Sequence, residues 1–137
     1  MKLADFGLSK RLVEGTKLNT RAGTESYMAP EIAGYLRIDP RAPSSEYSAV
    51  VDLWALGCIV YRLVTGHVPF PIVRNLIDYC EGRFPFPEDE LSDITVKGAR
   101  FIQELLRPYP KDRPSARQAC EHPWIRGKRR RRYILSL

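Results

Sequence analysis

The chain has 137 residues, of which 44% are hydrophobic and 28% are charged, and its formal net charge is +6. That length and composition suit one globular domain and are too small for two. Residues 128–132 hold five of the positive charges, and subtracting these five from +6 leaves +1, which argues against a generally basic surface that binds nucleic acid.

The first 47 residues predict little regular structure. Residues 1–4 fit the end of a short strand, and residues 5–31 fit a long loop with three glycines and several hydroxyl side chains. Residues 32–47 contain two prolines among polar residues, which predicts a turn-rich connector. We therefore expect the regular core to begin near residue 48.

A long helix is predicted over about 48–65, with Ser48 as its N-cap and Gly66 as its end. Its side chains are apolar on almost every face, and a helix of that kind is usually buried. Asp52 and Arg62 interrupt the run, which falls short of the roughly 20 apolar residues that span a bilayer. The sequence therefore predicts a buried helix and no membrane association.

Three shorter helices are predicted downstream, over about 72–81, 95–106 and 115–122. Gly82 ends the first of them. The second has a single apolar stripe and Thr95 as its cap, and Ser115 has the spacing to Gln118 that is typical of a capping box for the third. Residues up to 125 are predicted to close the globular part.

The cysteines and the N-terminus bear on localisation. Cys58, Cys80 and Cys120 are widely spaced and form no zinc-binding pattern, so they indicate free thiols in a reducing compartment. The first four residues are followed at once by Asp5, which is not the pattern of a secretory signal. We therefore expect a cytoplasmic or nuclear protein.

Five segments, in this order, resemble the C-terminal lobe of a eukaryotic protein kinase. They are KLADFGLSK (2–10), GTESYMAPE (23–31), VDLWALGCIVYRLVTGHVPF (51–70), ELLRPYPKDRPSA (104–116) and EHPWI (121–125). The resemblance implies a mainly α fold, the large C-terminal lobe of a kinase truncated before its catalytic loop. It implies a partial kinase domain over 1–125, with the activation segment at 5–31 and then a helical subdomain, and a basic tail over 126–137.

The subtype and the activity follow from the same resemblance. Gly-Thr before Tyr27 is typical of serine/threonine kinases, and the sequence is similar to the calmodulin-dependent and checkpoint kinase group. Membership implies ATP-dependent phosphoryl transfer to serine or threonine of protein substrates, with Mg²⁺. The family's glycine-rich loop, strand lysine, catalytic aspartate and metal-binding asparagine are not among the 137 residues. We therefore expect the isolated chain to be inactive and to bind neither ATP nor Mg²⁺ by itself.

Asp5, in the Asp-Phe-Gly motif, is implied by the resemblance to be a Mg²⁺ ligand and part of the ATP site. Mg²⁺ prefers one or two carboxylates together with phosphate oxygens, and this motif supplies one carboxylate in the family. The alternative is a solvated carboxylate near the N-terminus. The residues alone leave both interpretations open.

Thr20, in the stretch TRAGTESY, is the phosphorylation candidate because many related kinases carry an activating phosphothreonine there. A phosphate adds a charge of roughly −1.5 to −2 and can order a loop by pairing with basic side chains. Lys10 and Arg11 are candidate partners. Thr16 and Ser9 are weaker candidates, and the alternative for Thr20 is an ordinary loop threonine.

Gly23, Thr24 and Tyr27 form the substrate loop that the resemblance implies. In relatives the hydroxyl corresponding to Thr24 supports the catalytic aspartate and lysine, and the loop contacts the substrate residue after the acceptor.

The resemblance also pairs Glu31 with Arg113 in a buried ion pair, which is a structural role. Removing one member of such a pair costs roughly 3–5 kcal/mol.

Asp52 has a structural role in relatives, where it accepts hydrogen bonds from the catalytic loop. Without that loop, a carboxylate on an apolar helix is costly, so either another group replaces the loop, or water reaches this end of the helix, or this polypeptide is only part of the working protein. His67 and His122 are predicted to be structural, because each lies in a proline-containing loop motif where no acidic side chain is expected to orient the ring. Trp54 and Trp124 are predicted to be core aromatics.

Three functions remain open at this point. In the first, the chain is part of a serine/threonine kinase that contacts protein substrates. In the second, it is a non-catalytic kinase-lobe module or pseudokinase fragment that docks a partner, such as the missing kinase half. In the third, it is a nuclear interaction protein with a basic tail. The run 128–132 is interpreted as a solvated charge run, as a nuclear localisation signal, or as a patch for acidic surfaces.

Overall fold

The computed structural model describes residues 23–36 and 44–129, including the side chains of 23–36 and 49–127. Within these ranges the structure is helical and has no β-strand, which confirms the mainly α fold. The α-helices are α1 (Ser44–Thr65), α2 (Val73–Cys80), α3 (Val96–Leu105), α4 (Ala116–Glu121) and α5 (Pro123–Arg129); 3-10 turns lie at Gly23–Tyr27, Asp89–Leu91 and Pro110–Asp112. The predicted strand over 1–4 lies outside the described residues.

Helix α1 is the centre of the fold. It begins at Ser44, so Ser48 lies inside the helix and the predicted cap there is wrong; the polar first turn carries no apolar periodicity that would have shown the start. The helix ends as predicted, because Gly66 adopts a φ of 88° that favours glycine, and its N–H bonds to the carbonyl of Arg62 at 2.8 Å.

Helices α1 and α3 approach each other closely at Gly57. A Cβ atom at that position would lie 2.8 Å from the side chain of Leu106 and 3.0 Å from that of Leu105. Glycine therefore lets the two helices pack with their backbones close together. The fully buried core beside this contact contains Trp54, Cys58, Tyr61, Phe70, Leu76, Ile102, Leu105 and Leu106.

One face of α1 is not buried, so the predicted burial of this helix holds for its opposite face among the described residues. Leu56, Ile59 and Leu63 are 39%, 47% and 79% exposed. These residues recur at helical spacing and form one stripe, which we call the α1 apolar stripe. The described elements cover the opposite face of the helix, and none of them covers this one.

Two of the predicted caps are confirmed. The hydroxyl of Thr95 accepts a hydrogen bond from the N–H of Gly98 at 3.2 Å, at the start of α3. Ser115 and Gln118 form a complete capping box at the start of α4, with reciprocal bonds of 3.2 and 2.8 Å. The short α2 also agrees with the helix predicted over 72–81.

Helix α5 continues regular structure to Arg129, past the boundary predicted after residue 125. Pro123 suits the first position of a helix, and Nδ1 of His122 accepts a hydrogen bond from the N–H of Trp124 at 3.2 Å. His122 therefore caps this helix, which is a structural role. No helix in the described part of the chain is long and apolar enough to cross a membrane.

Candidate functional site

The end of the predicted activation segment is held by turns and by burial. The N–H of Met28 donates a hydrogen bond to the carbonyl of Glu25 at 3.1 Å, and the N–H of Tyr35 donates one to the carbonyl of Pro30 at 2.9 Å. Ala29 and Pro30 are both buried. These contacts fix the backbone on both sides of Glu31, so its side chain enters the core from a defined position.

The structure brings Glu31 and Arg113 together in a bidentate ion pair. Nη1 of Arg113 lies 2.6 Å from Oε1 of Glu31, and Nη2 lies 2.7 Å from Oε2. Both side chains are 0% exposed. A parallel two-bond geometry of this kind is among the strongest charge-assisted contacts in proteins.

The remaining donors of Arg113 bind backbone carbonyls. Its N–H groups bond to the carbonyls of Arg107 at 2.8 Å, Pro108 at 2.8 Å and Val50 at 3.2 Å. A guanidinium has five N–H donors, and these contacts together with the two to Glu31 use each of them. The guanidinium also lies 5.0 Å from the ring of Trp54. Arg113 thereby joins the end of the activation segment to α1 and to the loop after α3.

The predicted substrate loop lies beside the C-terminal end of α1. Thr24 is exposed, and Tyr27 is half-buried with its hydroxyl 2.6 Å from Nη1 of Arg62, which donates to it. A cavity of about 280 Å³ opens here, between the 3-10 turn and residues 62–68. We call it the Arg62 cavity.

Sequence reasoning did not identify Arg62 as a functional residue. The available signal was a lone basic side chain in an apolar helical run, and that signal was used only to exclude a membrane span. The Tyr27 partner is 35 residues away along the chain, and no local pattern connects the two residues.

His67 has an acidic partner that the sequence did not show. Its Nε2 lies 2.5 Å from Oε2 of Glu90, and the two side chains are 52% and 46% exposed. The prediction that no acidic group orients His67 is therefore wrong, because the partner comes from a distant turn.

The pKa of Tyr61 is raised above its usual value, first by burial and then by the nearby Glu90 carboxylate. The hydroxyl of Tyr61 donates a hydrogen bond to the carbonyl of Pro87 at 3.2 Å.

Among the remaining predicted site residues, the structure describes Asp52, and no described hydrogen bond or ion pair joins it to the residues above. Asp52 is exposed on α1 among the described residues. Asp5 and Thr20 lie outside the described residues. Among the residues that are described, no group of three or more His, Cys, Asp or Glu side chains could hold a metal ion.

A second, larger cleft of about 670 Å³ lies between α3 and the segment 88–96. Its walls carry both charge signs, including Glu88, Arg100, Glu104 and Arg107. None of the predicted site residues lines it. The Arg62 cavity, in contrast, is lined in part by the predicted substrate loop.

The chain belongs to the protein kinase family: the model of the protein kinase domain matches residues 1–125. It is of the serine/threonine type, in the checkpoint and calmodulin-dependent group. The serine/threonine-protein kinase RAD53 of Saccharomyces cerevisiae is 36% identical over 92% of this chain and 16% of its own length. A probable myosin light chain kinase of Dictyostelium discoideum is 39% identical over 90% of this chain and 39% of its own length.

Solved structures agree with this assignment. A crystal structure of the Rad53 kinase domain and SCD2 matches 73% of this chain and 36% of its own, with 33% identity and a TM-score of 0.56. A structure of titin kinase and its flanking domains matches 80% of this chain and 19% of its own, with 27% identity and a TM-score of 0.58. The chain thus spans well under half of these relatives.

Proposed function

We propose that these residues form the substrate-binding half of a serine/threonine protein kinase, and that the isolated chain does not catalyse phosphoryl transfer. Transfer depends on positioning and on charge stabilisation around the phosphates. The groups that the family uses for the phosphate clamp and the catalytic base are not among the 137 residues. The activity therefore requires further kinase residues.

The observation that carries this proposal is the Glu31–Arg113 pair. It fixes the end of the activation segment against α1, with both side chains fully shielded from solvent. The substrate loop that ends in this anchor is then held beside α1 through the Tyr27–Arg62 contact. A rigid scaffold under an exposed loop is the arrangement that positions a peptide acceptor for reaction.

ATP and Mg²⁺ are the implied cofactors, and Asp5 is the residue of this chain proposed to contact them. A Rad53 kinase domain structure is in complex with AMPPNP, which supports a nucleotide site in the family. Mg²⁺ held there would supply positive charge to neutralise the phosphate groups of ATP. The contribution of this chain is a single carboxylate, so we expect affinity for Mg-ATP only in the completed domain.

A chimaera tests this function. The part of the Rad53 kinase domain that precedes the region matched by this chain is fused before it, and phosphorylation of serine peptides is measured with radiolabelled ATP. We expect activity from the chimaera, none from the isolated chain, and loss of at least about 100-fold on Asp5→Ala. Activity in the isolated chain that Asp5→Ala abolishes would overturn the proposal.

The α1 apolar stripe favours a second candidate function, a non-catalytic module that docks a partner. Three exposed large apolar residues on one helix face form the kind of patch that marks a protein interface. The missing kinase half is the candidate partner. Co-expression of that half as a separate polypeptide, followed by size-exclusion chromatography, tests whether the two associate.

Regulation and localisation complete the proposal. Phosphorylation of Thr20 is proposed to order the activation segment. An upstream kinase should therefore raise the activity of the chimaera, and Thr20→Ala should reduce that increase.

A cytoplasmic or nuclear location is proposed, with the basic run 128–132 as the nuclear signal. Imaging of the chain with and without residues 128–137 checks this assignment.

A further inference from the structure

The segment that connects α1 to α2, residues 66–72, carries a histidine with an acceptor at each ring nitrogen. His67 follows Gly66, the glycine that ends α1. Its Nε2 lies 2.5 Å from Oε2 of Glu90, and its Nδ1 lies 3.3 Å from the carbonyl oxygen of Val68. A backbone carbonyl and an ionised carboxylate accept hydrogen bonds and cannot donate them.

One protonation state of the ring satisfies both contacts. A neutral imidazole has a single N–H, so its other nitrogen presents a lone pair to an acceptor. With the proton on Nδ1, that lone pair faces the Glu90 carboxylate, which is repulsive. With the proton on Nε2, it faces the Val68 carbonyl. The imidazolium donates to both oxygens and adds the attraction between opposite charges.

Glu90 stands on a part of the fold that other contacts hold in place. Leu91, the next residue, is buried in the main core cluster. The hydroxyl of Tyr61 on α1 donates to the carbonyl of Pro87 at 3.2 Å. The ring of Tyr61 also meets that of His67 edge-on, with the ring centroids 6.1 Å apart. The carboxylate therefore has a defined position beside the histidine.

The α1–α2 connector, in contrast, forms one wall of a cavity. Gly66, His67 and Val68 line the Arg62 cavity. The hydroxyl of Thr65 lies 2.9 Å from the carbonyl of Tyr61 and 3.0 Å from that of His67, so these bonds stay at the end of α1. The contact with Glu90 instead joins the cavity wall to a distant 3-10 turn.

The groups around His67 make it the proton-sensitive member of this contact. Histidine changes charge between about pH 5 and pH 8, where carboxylates and arginines ordinarily do not. Burial, and then the Glu90 carboxylate, raise the pKa of Tyr61, so its phenol stays neutral in this range. Arg62 and Tyr27 line the same cavity, and Nη1 of Arg62 donates to the Tyr27 hydroxyl. The charge of Arg62 opposes a second positive charge on the ring, whereas the carboxylate in direct contact favours it.

We propose that His67 is a proton-dependent latch, which ties the α1–α2 connector to Glu90 as an imidazolium and loosens that tie as a neutral ring. The wall of the Arg62 cavity is then joined to the core at acidic pH and held less tightly at alkaline pH. His67 and Glu90 are 52% and 46% exposed, so the contact is screened by solvent and its effect is modest. The inference concerns an internal contact and does not depend on the proposed function.

A double-mutant cycle at two pH values tests the latch. Urea unfolding of the full chain is measured for the parent, His67→Gln, Glu90→Gln and the double variant, at about pH 5.5 and about pH 8.5, on either side of the range in which histidine titrates. Salt is kept near 50 mM, where screening is weak. We expect the coupling between the two side chains to change the unfolding equilibrium constant about two- to fivefold at the lower pH. At the higher pH the change should be below about 1.5-fold.

The cycle contains its own correction, and the chain offers a matched control. His122 also titrates, but it is present in all four chains, so its contribution cancels. Arg117 and Glu121 form an exposed ion pair that contains no histidine. A second cycle with Arg117→Gln and Glu121→Gln should give the same coupling at both pH values.

A second measurement reads the connector directly. Amide hydrogen exchange of residues 66–72 is measured at the same two pH values and corrected for the intrinsic pH dependence of exchange. In the parent chain we expect protection about two- to fivefold greater at the lower pH. In Glu90→Gln the protection of this segment should not change with pH.

The outcomes decide the inference independently of the chimaera. Equal coupling at the two pH values, or stronger coupling at the higher one, overturns it, because a neutral ring then makes the contact. Absence of coupling at both pH values also overturns it. Coupling at the lower pH with unchanged protection of the connector overturns it too, because the contact then holds nothing in place. Coupling and protection that fall together as the pH rises support it, whether or not the chimaera phosphorylates serine.

Discussion

The guanidinium of Arg113 meets both carboxylate oxygens of Glu31 across 82 residues of sequence, at 2.6 and 2.7 Å. Neither side chain is accessible to solvent. A charge that loses its partner in such surroundings is strongly unfavourable, whereas an exposed pair contributes little. This contact therefore makes the stability of the fold sensitive to the loss of either residue.

Truncation of either partner should destabilise the chain by a large fraction of its total stability. We expect Glu31→Ala and Arg113→Ala each to cost roughly 3–5 kcal/mol. The double variant should lose less free energy of unfolding than the two single variants lose together, by roughly 0.5–3 kcal/mol, because each single change leaves the other charge buried without its partner. Urea unfolding of the four chains measures both quantities.

An exposed pair in the same chain provides the control for that cycle. Arg117 lies 3.7 Å from Glu121 with its side chain 88% exposed. The Arg117→Ala change should cost less than about 1 kcal/mol. Strictly additive effects at Glu31 and Arg113, or a loss at Arg117 as large as theirs, would contradict a buried pair.

Asp5→Ala should leave the stability of the isolated chain nearly unchanged. A metal ligand without its metal is a solvated carboxylate, and surface substitutions usually stay within about 0.5 kcal/mol. The same urea experiment measures this effect. A loss above about 2 kcal/mol would mean that the carboxylate is held inside the fold, and the interpretation of Asp5 as a metal ligand waiting for its cofactor would be wrong.

The buried phenol of Tyr79 predicts a loss of stability at high pH. Burial raises the pKa of Tyr79 from 10.0 to about 12, and its hydroxyl donates to the carbonyl of Leu106 at 2.9 Å. Between these pH values the unfolded phenol loses its proton while the folded one retains it, so the unfolded state binds fewer protons. The free energy of unfolding therefore falls as the pH rises through this range.

Tyr79→Phe tests that pH dependence. The variant should be less stable at neutral pH by roughly 0.5–1.5 kcal/mol, because one hydrogen bond is lost. Its stability should then fall less steeply than that of the parent as the pH rises above 10. Tyr61, whose pKa burial also raises, accounts for part of the slope that remains. Parallel curves for parent and variant would rule out Tyr79 as a source.

Local signals in the sequence predicted local structure well. The end of α1 at Gly66 and the caps at Thr95 and Ser115 depend on residues within a turn of each other, and each is confirmed. The start of α1 was missed because its first turn is polar. The Glu31–Arg113 pair came from the family resemblance, since no pattern in the residues connects positions so far apart.

Long-range contacts account for what the sequence did not show. The Arg62–Tyr27 and His67–Glu90 contacts depend on how loops meet after folding, and neither has a local signature. The exposure of the α1 apolar stripe depends on which other elements are present to cover it. The apolar pattern predicted a hydrophobic helix, but pattern alone cannot tell which of its faces are covered.

The α1 apolar stripe should make the isolated chain prone to association. Leu63 is 79% exposed and Ile59 is 47% exposed on the same helix face. Exposed apolar patches of this kind are aggregation liabilities when no partner covers them. We expect the parent chain to form oligomers or aggregates at concentrations where Ile59→Lys combined with Leu63→Lys is monomeric, as measured by light scattering after size exclusion.

The double lysine variant should lose little stability, because exposed positions contribute little burial and lysine is nearly as good a helix former as leucine. The matched control is Ile102→Lys, at a fully buried position, which should unfold the chain. Urea unfolding and far-UV circular dichroism at low concentration separate the loss of association from the loss of fold. A parent chain that is monomeric and melts cooperatively above about 60 °C, near the top of the ordinary mesophile range, would show that the stripe needs no partner.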